Sequence, residues 1–156
     1  MTPFFRDVRP DDSKLVWEWR NDVLTRKMSR YIEAVSWENH ERWLATSLKT
    51  PSRILWFVQD KDLNIGIVRF DLAEDLTAEI SVNLNPEHRR KGYGRIVLSQ
   101  ASKKFFEEYS DQVQKIIATI HRDNSASMHA FLKAGYVNEG GGDTDWIELF
   151  YKYKAS

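Results

Sequence analysis

The residues best equipped for chemistry lie between Leu76 and Tyr109. Leu76, Ala78, Ile80, Val82 and Leu84 alternate strictly with Thr77, Glu79, Ser81 and Asn83. This predicts a strand with one buried face and one polar face that carries a carboxylate, a hydroxyl and an amide. After Asn85-Pro86 comes Glu87-His88-Arg89-Arg90-Lys91-Gly92-Tyr93-Gly94-Arg95, and then a helix whose Val97, Ala101, Phe105 and Tyr109 share one side. A strand, a cationic glycine loop and a helix start in that order make an anion site. The first helical N–H groups have no partner within the helix, and the macrodipole is positive there, so backbone donors can bind a phosphate or pyrophosphate. Gly92 and Gly94 let the backbone approach closely, while Arg89, Arg90, Lys91 and Arg95 add charge.

Composition narrows the setting. The 156 residues suit one domain, residues 1–156, with a core that needs no disulfide or metal. The 23 basic residues balance 23 acidic ones, so nothing drives non-specific nucleic-acid binding. There is no cysteine, which excludes an acyl-cysteine intermediate, a zinc–thiolate site and a disulfide framework. No apolar run approaches the roughly 18 residues of a spanning helix, and Met1 to Asp7 lacks the order of a signal peptide. A cytoplasmic protein with no membrane partner is expected.

In chain order, Phe4 to Val8 reads as a short strand, and Pro10-Asp11-Asp12-Ser13 starts a helix with Leu15, Val16 and Trp19 inward, ending near Asn21. Asp22 to Tyr31 reads as a substrate-side loop or short helix. Ser36 caps the next helix, with Trp37, His40, Leu44 and Leu48 along one stripe. On that stripe His40 reads first as a core histidine. Ile54 to Val58, apolar on both faces, suits a covered central strand, and Ile65 to Phe70 returns antiparallel to it. Lys115 to His121 is a further strand. Asn124 caps a helix with Met128, Phe131 and Leu132 inward, which Gly135 ends. Tyr136 to Glu139 and Trp146 to Tyr153 are the last strands, joined by a flexible Gly140-Gly141-Gly142 connection. The order β, α, α, β, β, β, α, β, α, β, β predicts a mixed α/β sheet.

Arg89-x-x-Gly92-x-Gly94 after a polar-faced strand, followed by Asn124-x-x-Ser127-x-x-x-Phe131-x-Lys133-x-Gly135-Tyr136, resembles the two acetyl-CoA motifs of the GNAT N-acetyltransferase superfamily. The element order fits over nearly the whole chain. The resemblance implies a GNAT-like, mostly antiparallel sheet flanked by helices and splayed between the fourth and fifth strands. It implies acetyl-CoA as co-substrate and no metal. The backbone of Val82, Asn83 and Leu84 would pair with the pantetheine arm, and one N–H would polarise the thioester carbonyl. Arg89, Arg90, Lys91, Gly92, Tyr93, Gly94 and Arg95 would hold the pyrophosphate. Asn124 and Ser127 would contact the pantetheine or phosphates, and Lys133 would reach the adenosine phosphate. An ammonium has no lone pair, so a base must free the amine. Glu79 matches the position of the basic Glu in several members, with Ser81 and Asn83 holding a water. Phe131 stands where many members have a Tyr that protonates the leaving thiolate; Tyr93, Tyr136 or water are the substitutes.

Trp19-Arg20-Asn21-Asp22, Arg26, Met28, Ser36, His40 and Trp43 resemble, more narrowly, the acceptor region of sugar-nucleotide amine N-acetyltransferases of pseudaminic-acid and related nonulosonate pathways. By that resemblance Arg20 and His40 would contact phosphates or sugar, and Met28 would pack against sugar and base. The acceptor would then be a 4-amino-4,6-dideoxy UDP-sugar. Trp-Arg-Asn also occurs in acetyltransferases of ribosomal-protein N-termini, which is the second reading. A third, from another class, is a non-catalytic acetyl-CoA sensor, which Phe131 favours and the polar face of Glu79, Ser81 and Asn83 disfavours. A homodimer is left open.

Overall fold

Period-two apolar runs become strands and longer periodic runs become helices, with one sheet as the shared wall of two cores. The computed structural model describes residues 2–154. The strands are β1 (Phe4–Asp7), β2 (Arg53–Asp60), β3 (Leu63–Leu72), β4 (Thr77–Leu84), β5 (Lys115–His121), β6 (Val137–Gly142) and β7 (Trp146–Lys152). They form one sheet in the order β1-β2-β3-β4-β5-β7-β6. Every neighbouring pair is antiparallel except β4 and β5, as expected for a mixed, mostly antiparallel fold.

The helices are α1 (Ser13–Arg20), α2 (Val23–Lys27), α3 (Trp37–Leu48), α4 (Tyr93–Tyr109) and α5 (Ser125–Lys133). Val16 and Trp19 of α1 and Leu44 of α3 pack on Leu55, Phe57 and Ile67, forming the smaller core on one face. Val97, Ala101 and Phe105 of α4 and Phe131 of α5 cover the other face over Val58, Val68, Phe70, Ala78 and Ile80. Phe105 stacks on Phe70 with centroids 4.0 Å apart. Such fully buried rings are worth about 2–3 kcal/mol each by area removed from water. Arg6 forks both oxygens of Asp12 at 2.8 Å, and Asp12 also accepts from Arg9 N, which fixes where α1 begins.

Three expectations need correction. Leu76 is outside β4: its φ is 64° and its side chain is exposed, because Asp75 accepts from Thr77 N and Thr77 Oγ1 in a tight turn that sets the strand's start. Gly140, Gly141 and Gly142 are edge strand rather than a loose connection, since β6 runs to Gly142 through a register shift against β7. Leu132 points outward, 47% exposed, and Phe131 carries the inward face of α5 with Met128 only partly covered.

Candidate active site

The parallel register of β4 and β5 is three pairs long: Thr77 with Lys115, Ala78 with Ile116 and Glu79 with Ile117. Beyond Glu79 the strands part. Ile80 to Leu84 then has β3 on one side and no ladder partner on the other, while Ala118 to His121 stays paired with β7. Five residues of strand make a cleft about 16 Å deep, edged by backbone donors and acceptors without partners in the sheet. The splay expected between the fourth and fifth strands is therefore present, and Glu79 stands at its fork.

At the mouth of the cleft, Arg90 (φ 61°) and Gly92 (φ 80°) are left-handed on either side of Lys91. Alternation of left-handed residues is the backbone feature from which anion-binding nests are built. Gly92 is also the N-cap of α4, with no side-chain cap, so the first N–H groups of this 17-residue helix stay free beside the nest. A Cβ at Gly92 would meet nothing within 4 Å; glycine serves there for its φ. At Gly94 a Cβ would touch Ala130 Cβ at 3.5 Å and Leu84 Cδ1 at 3.7 Å, so only a side chain longer than alanine must displace them.

Other members of the predicted cofactor set divide. Arg90, Lys91 and Arg95 are exposed around the nest, and Lys133 is exposed at the end of α5. Asn124 Oδ1 accepts from Ser127 N at 3.1 Å, which starts α5 across the fork from β4. The Arg89 guanidinium is committed elsewhere: it donates to Asp22 Oδ2 at 2.5 Å and Thr25 Oγ1 at 2.8 Å. Burial works against the Asp22 charge, yet the Arg89 bond and the Thr25 N–H hold its carboxyl below the usual range. This bridge ties the phosphate loop to α2. Tyr93 is buried, its hydroxyl donating to Asp60 Oδ2 at 3.2 Å. Tyr136 is buried against Ser102 Oγ at 2.7 Å, and burial pushes its pKa up. Phe131 packs edge-on against Tyr136. Both hydroxyls are thus engaged within the protein.

Glu79, Ser81 and Asn83 turn to the α1 and α3 face, opposite Asp71, Arg69 and Ile67 of β3 respectively. Glu79 is exposed; Ser81 and Asn83 are partly covered. Arg20 reaches the same floor. Its Nη1 donates to His40 Nδ1 at 2.9 Å, and its guanidinium lies 4.5 Å from the Trp43 ring centroid. Arginine only donates, so Nδ1 accepts and the His40 proton is on Nε2. His40 is 0% exposed, its ring lying near both Trp37 and Trp43. His40 is therefore placed as a buried partner that positions Arg20. Met28 caps the C-terminal end of α2 and is partly covered. Asn21 explains the rest of the Trp-Arg-Asn motif, since its amide exchanges two 2.8 Å bonds with the Val35 backbone and pins the α2–α3 loop.

Burial first, then Arg20, lowers the His40 pKa to about 4. A base whose folded pKa lies below its unfolded value of about 6.5 stabilises the fold fully above pH 6.5 and loses that contribution as pH falls toward 4. Wild type should lose on the order of 3 kcal/mol over this window in denaturant titrations, and His40→Gln should lack that part of the slope. Parallel slopes for the two proteins would remove His40 from the acid transition.

Sequence reading missed two further positions. Gly66 lies opposite Leu84, and a Cβ there would come 2.6 Å from Asn83 O; a glycine inside an apolar strand was the available signal. Arg69, set between Val68 and Phe70 in the same strand, was signalled by a charge interrupting an apolar run.

The geometry is a mixed α/β sheet forked between β4 and β5, with a cationic glycine loop at the start of α4 and a carboxylate at the fork. The chain belongs to the acetyltransferase (GNAT) domain family, whose model matches residues 4–137. Membership makes acetyl-CoA the co-substrate and N-acetyl transfer the reaction. The chain is 26% identical over 136 residues to the uncharacterized N-acetyltransferase YfmK of Bacillus subtilis strain 168, covering 86% of this chain and 85% of that one. Its fold is similar to spermidine N-acetyltransferase from Vibrio cholerae in complex with CoA and spermine, with TM-score 0.84, 19% identity and coverage of 96% and 95%. It is also similar to aminoglycoside acetyltransferase AAC(6')-Ib in complex with coenzyme A, with TM-score 0.83, 15% identity and coverage of 97% and 95%.

Proposed function

We propose that this chain moves the acetyl group of acetyl-CoA to a primary amine of a small molecule, by direct attack within a ternary complex. The observation that carries this reading is Glu79 at the last β4–β5 pair, where the cleft begins. The nest at Arg90 to Gly92 and the start of α4 bind the pyrophosphate, and the pantetheine arm lies along Ile80 to Leu84. With the thioester carbonyl near the fork, a β4 N–H stabilises the negative charge that grows on its oxygen. The amine enters from the α1 and α3 side. Glu79, directly or through a water held by Ser81 and Asn83, takes its proton. The nitrogen attacks, the C–S bond breaks, and the thiolate takes a proton from water. No cysteine is available for an acyl-enzyme.

For the acceptor, the finer reading is a nucleotide-linked amino sugar of the 4-amino-4,6-dideoxy UDP type, supported by Arg20 and Met28 on the acceptor side. Spermine, bound in the Vibrio cholerae structure, and kanamycin, bound in another AAC(6')-Ib structure, represent the competing polycationic class. This reading sets the reaction in the cytoplasm; no helix among the described residues is long and apolar enough to cross a membrane.

Thiol release from acetyl-CoA tests the reading, and a chain without cysteine adds no background to a thiol reagent. UDP-linked amino sugars, free amino sugars, polyamines and peptides with free N-termini are the acceptors. Amine-dependent release with an acetylated product is expected. Acetyl-CoA binding without amine-dependent release would favour the sensor alternative.

A further inference from the structure

The charges on the acceptor-side floor do not balance. Three guanidiniums face it: Arg20 from α1, Arg53 from β2 and Arg69 from β3. Asp71 is their one directly paired carboxylate among the described residues, and it is shared, with Arg53 Nε at 2.6 Å and Arg69 Nε at 3.2 Å. Arg20 makes no ion pair among the described residues; its hydrogen bond goes to the neutral His40 ring. Arg69 Nε is buried without a hydrogen bond of good geometry. Glu79 lies within no ion-pair distance of a cation among the described residues, and when ionised it still leaves one positive charge in excess. Once it takes a proton from the amine, the excess is two.

This arrangement is costly without a ligand. Burial, and then mutual repulsion, disfavour the Arg20 charge beside Arg69. The Trp43 face attracts the Arg20 cation, but a ring offers no hydrogen-bond acceptor oxygen and leaves the guanidinium donors unused. Ser47 and Asp71 occupy Arg53. Arg20 and Arg69 keep unused donors, and Arg69 sits directly opposite Ser81, next to the carboxylate at the fork.

We propose that Arg69 and Arg20 form a recognition site for an anionic group, a carboxylate or a phosphate, borne by the acceptor itself, so that the chain acetylates amines carrying negative charge and discriminates against polycations. The inference rests on the N-acetyltransferase reading above and adds the charge of the substrate. The same positive floor lowers the pKa of an amine held against it, which raises the fraction of free base available for attack. Two guanidiniums suit a carboxylate or phosphate in particular, since their forked donors match its oxygens. A spermidine-like chain would instead bring further positive charge against Arg20 and Arg69.

The test uses acceptors matched except in charge, followed by thiol release from acetyl-CoA. An amino acid is compared with its amide, and a phosphorylated or UDP-linked amino sugar with the free amino sugar; spermidine and kanamycin form the polycation arm. The anionic member should have kcat/KM at least about tenfold higher, the size of one charge-assisted bond. Arg69→Gln should erase that ratio and Arg69→Lys should restore part of it. Preference for the carboxylate or the phosphate identifies the anion. Polycations used as well as the anionic amines, or an anionic preference that survives Arg69→Gln, would overturn the proposal. Silence from every amine would instead count against the transferase reading. Calorimetric titration of inorganic phosphate into CoA-saturated protein then decides the anion site: binding lost in Arg69→Gln supports it, and equal or absent binding in both proteins overturns it.

Discussion

Glu79→Gln should lower kcat roughly 100-fold near pH 7, the lower part of the range for a positioned general base, while acetyl-CoA affinity changes by less than about twofold. The substitution keeps the side chain's size and removes the proton acceptor. Because Glu79 is exposed at the fork and outside both cores, the fold has little to lose. The sign of the pH dependence separates a base from a binding group. At high pH the amine is already neutral, so the deficit should shrink as pH rises toward the amine's own pKa. A deficit constant with pH would assign Glu79 to acceptor binding, and unchanged turnover would remove it from the mechanism.

Gly66→Val should raise the acetyl-CoA dissociation constant at least about tenfold and cost on the order of 2–3 kcal/mol in stability. A Cβ at residue 66 would come 2.6 Å from Asn83 O, 3.1 Å from Leu84 Cα and 3.2 Å from Leu84 Cδ2. Two of these atoms are backbone, so no side-chain rotation relieves the clash and the end of β4 must move. That end is the limb of the fork along which we propose the pantetheine arm lies. Gly94→Ala is the contrast, because its Cβ meets Ala130 at an ordinary 3.5 Å, and it should bind acetyl-CoA much as wild type does. Equal affinity of Gly66→Val and wild type would show that the β4 end does not line the cofactor cleft.

What was legible in the sequence follows the physics of each signal. Periodicity marks buried faces, so β4, β5, α3, α4 and α5 were recognisable within a residue or two. Caps are local chemistry, and Ser36 and Asn124 cap as expected, accepting from Asn39 N and Ser127 N. The phosphate loop was readable because its glycines and its helix start are adjacent in sequence. Pairings across the chain were not. Asp22 meets Arg89 and Asn21 meets Val35, so polar residues that read as loop chemistry are fixed by partners far away in sequence. His40 read both ways: its stripe said core and its resemblance said substrate, and it packs fully buried between α1 and α3. The three glycines of β6 read as a loop because composition cannot see an edge strand that pairs on one side. Arg69 went unnoticed because its meaning comes from the strand beside it, where Ser81 and Glu79 turn to the same face.

Amide hydrogen exchange with and without acetyl-CoA tests most directly where the co-substrate docks. Protection should rise at Ile80 to Leu84, where the cleft edge of β4 has no strand partner, and at Arg90 to Arg95, where the proposed pyrophosphate site begins α4. The groove that Phe106, Tyr151 and Tyr153 form at the C-terminal end of α4 should exchange as before. Protection there, with Ile80 to Leu84 and Arg90 to Arg95 unchanged, would contradict the account.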